Sequence, residues 1–190
     1  MSRPAVHTVW LPAGGSERRA PPDTIGGDGM DAAERRAQAE RHFVEAYEAQ
    51  MKGELETAIT RYRESIACGP TAEAHTYLGW TYSVQGDYQA AIRECQAAIR
   101  LDPDFGNPYN DIGSYLIKLG HHDGAIPWLR KAMTAPRYEP RHYPHVNLAR
   151  IYARQRKVHD AIAELERALA IEPGYRPART ELHRLIGMLN

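Results

Sequence analysis

Nine histidines and two cysteines are the residues of this 190-residue chain whose chemistry is easiest to name. His121-His122-Asp123 and His159-Asp160 form clusters. His142 and His145 stand three apart, a spacing that puts both rings on one helix face. Such a pair could share a divalent metal, so a metal-binding regulatory subunit is one reading. A tetrahedral site, however, needs three or four ligands steadied by further hydrogen bonds. Neither an HExxH run nor a paired-cysteine spacing supplies the rest. Histidines in polar turns are more simply solvated, so no metal and no cofactor is expected. Cys68 and Cys95 each lie on the apolar side of a helical pattern and read as free thiols. No glycine-rich phosphate loop, nucleophile elbow or carboxylate pair is evident, so no catalytic residue is assigned and the chain reads as a non-enzyme.

A second set of residues suits recognition. Asn110 and Asn147 can each meet a peptide amide with donor and acceptor together. Arg150, Arg154 and Arg184 can hold a carboxylate by paired charge-assisted bonds. Tyr77 and Trp80, with Tyr47 upstream, offer rigid apolar area of the kind that anchors an interface. Ser114 and Lys118 complete the set. The competing reading is a solvated helix face on which Trp80 packs against the next helix or against a second copy of the chain.

The elements that would position these residues are repeated. Residues 72–105 hold two amphipathic helical patterns hinged at Gln85-Gly86-Asp87. His75, Leu78, Gly79 and Tyr82 share one face of the first. Tyr88, Ala91, Ile92, Cys95, Ala98, Ile99 and Leu101 share one face of the second. Asp102-Pro103 stops the pattern, because proline lacks the N–H and restricts the residue before it. Thirty-four residues on, Gly113, Gly120, Ala125, Ala132 and Met133 repeat it. Thirty-six further on, Ala149, Tyr152, Ala161, Ile162, Leu165, Ala168, Leu169 and Pro173 do so again.

This pattern closely resembles the tetratricopeptide repeat, with its period of about 34 residues and its Leu-Gly-x2-Tyr, Ala and Pro marks. The resemblance implies an all-α fold, a right-handed α-solenoid of about four helix-turn-helix units closed by a C-terminal capping helix. The units are read at about 31–71, 72–105, 106–141 and 142–175, with the cap at 176–190. It also implies that the first helix of each unit lines a concave groove. The groove would grade from aromatic (Phe43, Tyr47, Tyr77, Trp80) to amide and cation (Asn110, Ser114, Lys118, Asn147, Arg150, Arg154, Arg184). A protein or peptide partner is expected there. The residues depart from the lysine-and-asparagine clamp of the family's chaperone adaptors. A fainter similarity, in APRYEP and the following YPHVNLARIY, is to type IV pilus pilotins, which implies an assembly role in a pilus or secretin complex as an alternative.

Other stretches carry narrower expectations. Residues 1–30 are dense in proline and glycine and read as a disordered tail, in which Trp10-Leu11 could dock a partner. Met30, after Gly26-Gly27-Asp28-Gly29, is an alternative start. Asp31 and Glu34 form a capping box. The first helix sets Glu45-Ala46 where Leu-Gly is expected and shows a stripe of Phe43, Val44, Tyr47 and Met51, so its register is open. Asn107-Pro108 reads as N-cap and first helical residue, and Pro127 as a late start or kink. Arg156 replaces a turn glycine. The net charge of zero offers nothing to nucleic acid, and no run is long enough for a membrane span or signal peptide, so a cytoplasmic location is expected. Arginine outnumbers lysine 20 to 4 and alanine is abundant, which reads as a GC-rich, bacterial genome.

Overall fold

The computed structural model describes residues 30–189. The tail expected at 1–30, with Trp10 and Leu11, lies outside the described residues apart from Met30. Among the described residues the helices are α1 (Ala32–Lys52), α2 (Leu55–Cys68), α3 (Ala72–Val84), α4 (Tyr88–Leu101), α5 (Asn107–Lys118), α6 (His122–Thr134), α7 (His142–Arg154), α8 (Val158–Ile171) and α9 (Arg176–Gly187). They form hairpins α1/α2, α3/α4, α5/α6 and α7/α8, and each second helix packs on the first helix of the next unit, ending with α8 on α9. Successive first helices also touch one another, whereas the second helices form no such row. The first helices are therefore crowded together and the second spread apart, which curves the stack with α1, α3, α5 and α7 inside. The molecule is an all-α solenoid.

Local chemistry accounts for the breaks between helices. The Asp31 carboxylate accepts from the Glu34 backbone N–H at 2.8 Å, and Glu34 accepts from the Asp31 N–H at 2.9 Å, a complete capping box at the start of α1. In three units the turn between first and second helix is made by a glycine at positive φ: Gly53 at 81°, Gly86 at 86° and Gly120 at 83°. In the fourth, Arg156 adopts φ 59° in that role.

The hairpins close over small residues. Ala46, Gly79, Gly113 and Ala149 occupy equivalent places and are buried. Opposite them Ala58, Ala91, Ala125 and Ala161 are fully buried, with Tyr62, Cys95, Leu129 or Leu165 filling the space one turn on. Ala46 thus holds the common register, which settles the first helix. Its apolar stripe is divided: Phe43 and Tyr47 turn toward α2 and α3, while Val44 and Met51 face solvent.

Three expectations need correction. Asn107 is the first residue of α5, and Gly106 is its N-cap. A Cβ at Gly106 would lie 2.3 Å from Tyr138, so a tertiary contact selects glycine there. The Asn107 amide instead donates to the Glu139 carbonyl at 3.4 Å. Pro127 does not delay its helix, since α6 already begins at His122 and runs through it. Pro127 is exposed, so water can satisfy the carbonyl its ring leaves unbonded. The third is Leu101, read on the apolar face of the second helix of its unit, which is exposed; in the cap, Ala178 and Leu185 are buried, Leu182 is half-buried, and Ile186 and Leu189 are exposed.

The two-residue excess after α6 forms a clasp. Gly106 N–H donates to the Arg137 carbonyl at 2.8 Å, and Arg137 N–H to the Asp104 carbonyl at 3.0 Å. The Arg137 guanidinium reaches Glu73 of α3 and Asp102 beyond α4, each at 2.6 Å, and stacks 4.1 Å from the centre of the Phe105 ring.

Candidate functional site

The inner row starts with an aromatic wall on α1 and α3. Tyr77 meets Phe43 edge-on at 5.4 Å between centroids, Tyr47 at 5.8 Å and Trp80 at 6.4 Å, and stacks on Tyr62 at 6.2 Å. These separations favour ring packing beyond simple area burial. Burial pushes the Tyr77 phenol above its ordinary pKa, so the hydroxyl stays neutral. Tyr47, Tyr77 and Trp80 are all half-buried, and Tyr77 links the core to the inner surface. Glu73, one turn before Tyr77, is engaged by Arg137.

Further along, α5 and α7 carry a polar row. Asn147 Nδ2 donates to Asn110 Oδ1 at 3.0 Å, and Arg150 Nη1 donates to Asn147 Oδ1 at 3.0 Å. Both asparagines are buried, so they are committed to each other rather than presented as two independent peptide hooks. The row ends in the exposed Arg150, whose orientation the two amides fix. Ser114 is half-buried on α5. Lys118 and Arg154 are exposed in the last turns of α5 and α7. Arg184 does not stand ready for a partner carboxylate, because both of its arms hold Glu181 on the same helix, at 2.8 and 2.6 Å.

A cavity of about 670 Å³ opens beside this row, lined from α5, α6, α7, α8 and α9 and including Lys118, Arg150, Arg154 and Glu181. Sequence reasoning found three of these side chains but not the cavity, whose walls come from five separate helices.

The histidines are dispersed. His142 is buried against Tyr143 and Tyr175, with centroids 4.3 and 4.6 Å away, and burial lowers its pKa. His145 instead places Nδ1 2.7 Å from Glu164 Oε2. The two rings therefore share no ligand position. His75 makes the corresponding contact with Glu94, also at 2.7 Å, and His42 lies 3.4 Å from Glu64. Among the described residues, no three His, Cys, Asp or Glu side chains gather as a metal-holding group. Cys68 and Cys95 are free, and burial raises the Cys95 thiol well above its ordinary pKa.

Repeated helical hairpins stacked around an inner row define a helical-repeat protein, a class built to present extended surfaces. Three stretches, residues 72–105, 107–137 and 145–178, match the tetratricopeptide repeat. The chain belongs to the tetratricopeptide-repeat family, whose repeats are in general protein-interaction modules. Over 104 residues, 54% of this chain, it is 27% identical to the small glutamine-rich tetratricopeptide repeat-containing protein 2 of Saccharomyces cerevisiae, of which the match covers 30%. Among solved structures it resembles pilF of Pseudomonas aeruginosa, with a TM-score of 0.75 and 19% identity over 81% of this chain and 70% of that one. It also resembles PilW, described as a widely conserved type IV pilus biogenesis factor, with a TM-score of 0.72 and 21% identity over 79% and 69%. No helix among the described residues is long and apolar enough to cross a membrane.

Proposed function

We propose that this chain is a non-enzymatic adaptor that holds a segment of a partner protein along its inner row, from the Tyr47–Tyr77–Trp80 wall to Arg150. The observation that carries this reading is the relay from Asn110 through Asn147 to Arg150. Two buried amides hold one exposed guanidinium beside an open cavity, so its rotamer freedom is already spent before a partner arrives. A solvated helix face needs no such buried relay.

Affinity capture from the source organism tests it, wild type beside the Asn147→Ala, Arg150→Glu double variant. A partner held by wild type and released by the folded variant supports the inner row. Equal capture by both overturns it. The pilus or secretin alternative rests on likeness of fold to pilF and PilW at 19 and 21% identity, and no residue of the row adds to it.

A further inference from the structure

We infer that the cavity between α5, α7 and α9 takes an acidic partner segment carrying a large apolar side chain. This rests on the inner row being a protein-binding surface and adds the chemistry of what it binds. The wall is apolar where Ile117, Val146, Leu165 and Pro177 line it, and its charged groups are Lys118, Arg150, Arg154 and Glu181. The one carboxylate, Glu181, is held below the usual carboxylate range by its paired hydrogen bonds with Arg184, with a further contribution from the charge of Arg150. Among the described residues no carboxylate lies within ion-pairing distance of Lys118, Arg150 or Arg154. Three cations therefore face the opening against a single carboxylate that Arg184 already holds, which leaves an excess of positive charge.

His122 lines the same cavity, and its Nε2 is buried without a hydrogen-bond partner among the described residues. Lys118 and Arg154 also complement the dipoles of α5 and α7 from the last turn of each. That role accounts for two charges, but not for Arg150, four residues before Arg154 and oriented by a buried amide. Nor does it account for apolar walls beside the charges. A bare anion would use the cations alone. An acidic segment with a Leu or Phe uses both, because charge complementarity steers it and apolar burial holds it.

The test is fluorescence anisotropy on the full chain with a labelled peptide, Glu-Asp-Leu-Phe-Glu-Asp-Leu-Leu-Glu, and two relatives. One relative replaces every acid by its amide, and the other replaces Leu and Phe by Ser. Loss of each feature should weaken binding about tenfold or more. The Lys118→Glu, Arg154→Glu variant should lose the acidic peptide to the same degree, and binding should fall as salt rises. Far-UV spectra and melting curves show whether that variant folds; if it does not, Lys118→Ala, Arg154→Ala takes its place, because it removes the charges without adding repulsion. Equal binding of the amide peptide, no binding of any peptide, or unchanged binding to a folded variant would overturn the proposal. So would displacement by millimolar inorganic phosphate with no penalty for the Ser relative, the behaviour of a small-anion site. Partner capture lost in Asn147→Ala, Arg150→Glu would still stand in each of those cases, so a wrong partner chemistry and a wrong surface give different results.

Discussion

His145 Nδ1 and Glu164 Oε2 lie 2.7 Å apart inside the last hairpin, joining α7 to α8, and seventy residues earlier His75 and Glu94 repeat the contact at 2.7 Å. The histidine stands four residues before the small residue of its helix: His75 before Gly79, His145 before Ala149, and His42 before Ala46. The position can thus join the two helices of a hairpin through a polar contact as well as an apolar one.

A pH dependence follows from this pair. Burial works to raise the Glu164 carboxyl, but the hydrogen bond from His145 and the charge of Arg167 outweigh it and leave the pKa lowered. A folded value below the unfolded one of about 4.3 means that unfolding takes up protons in acid. The stabilisation is complete above the unfolded value and is lost as pH falls through the folded one. Glu164→Gln should cost about 1.5–3 kcal/mol at pH 7, the range for hydrogen bonds to charged groups. Urea titrations of wild type and variant should converge as pH falls below that of the unfolded carboxyl. A gap that stays constant would refute the assignment.

The hairpin contacts give a second prediction. A Cβ at Gly113 would sit 2.5 Å from Leu129 Cδ2 and 2.6 Å from its Cγ, and Leu129 is fully buried. Gly113→Ala should therefore destabilise by about 1–3 kcal/mol, less any gain in helix propensity of up to about 1 kcal/mol. Combined with Leu129→Ala, the two losses should sum to less than their separate values, since the second change removes the clash. At Gly79 the nearest atoms to such a Cβ are the Ala91 carbonyl oxygen at 3.0 Å and two side-chain atoms at 3.4 Å, a tight fit against backbone with no room for a longer side chain. Gly79→Leu is expected to cost about 1–3 kcal/mol by urea titration.

The third concerns the end of the stack. Ala178 and Leu185 of α9 complete the cluster formed by Ala161, Leu165 and Ala168. A fragment ending at residue 175 should lose that cover and self-associate through the uncovered α8 face. Size-exclusion chromatography with light scattering reads this directly. A monomeric fragment with wild-type helicity would show that α9 is dispensable.

What was legible in the chain was local and periodic. The spacing of Gly79, Gly113 and Ala149, the capping box at Asp31, and Arg156 in a glycine's place each follow from a few neighbouring residues. What was not legible depends on partners far along the chain. Gly106 takes the cap from Asn107 because Tyr138 packs on it, thirty-two residues away. Asn110 and Asn147 looked like separate hooks, each being polar and inward, and only the packing of α5 on α7 shows that they satisfy each other. His142 and His145 share a helical spacing, but Tyr175 and Glu164, from different segments, draw them apart. The stripe of α1 was ambiguous because one helix serves both the hairpin and the inner row.

In a stack where each hairpin touches only its neighbours, cooperativity is passed from joint to joint. The Arg137 clasp makes one joint unlike the rest, since it ties residues 135–138, after the third hairpin, to Glu73 at the head of the second and Asp102 at its close. Those two hairpins are in effect riveted, so they are expected to open together. A partner laid along the inner row then meets, at its middle, two repeats that yield as one block.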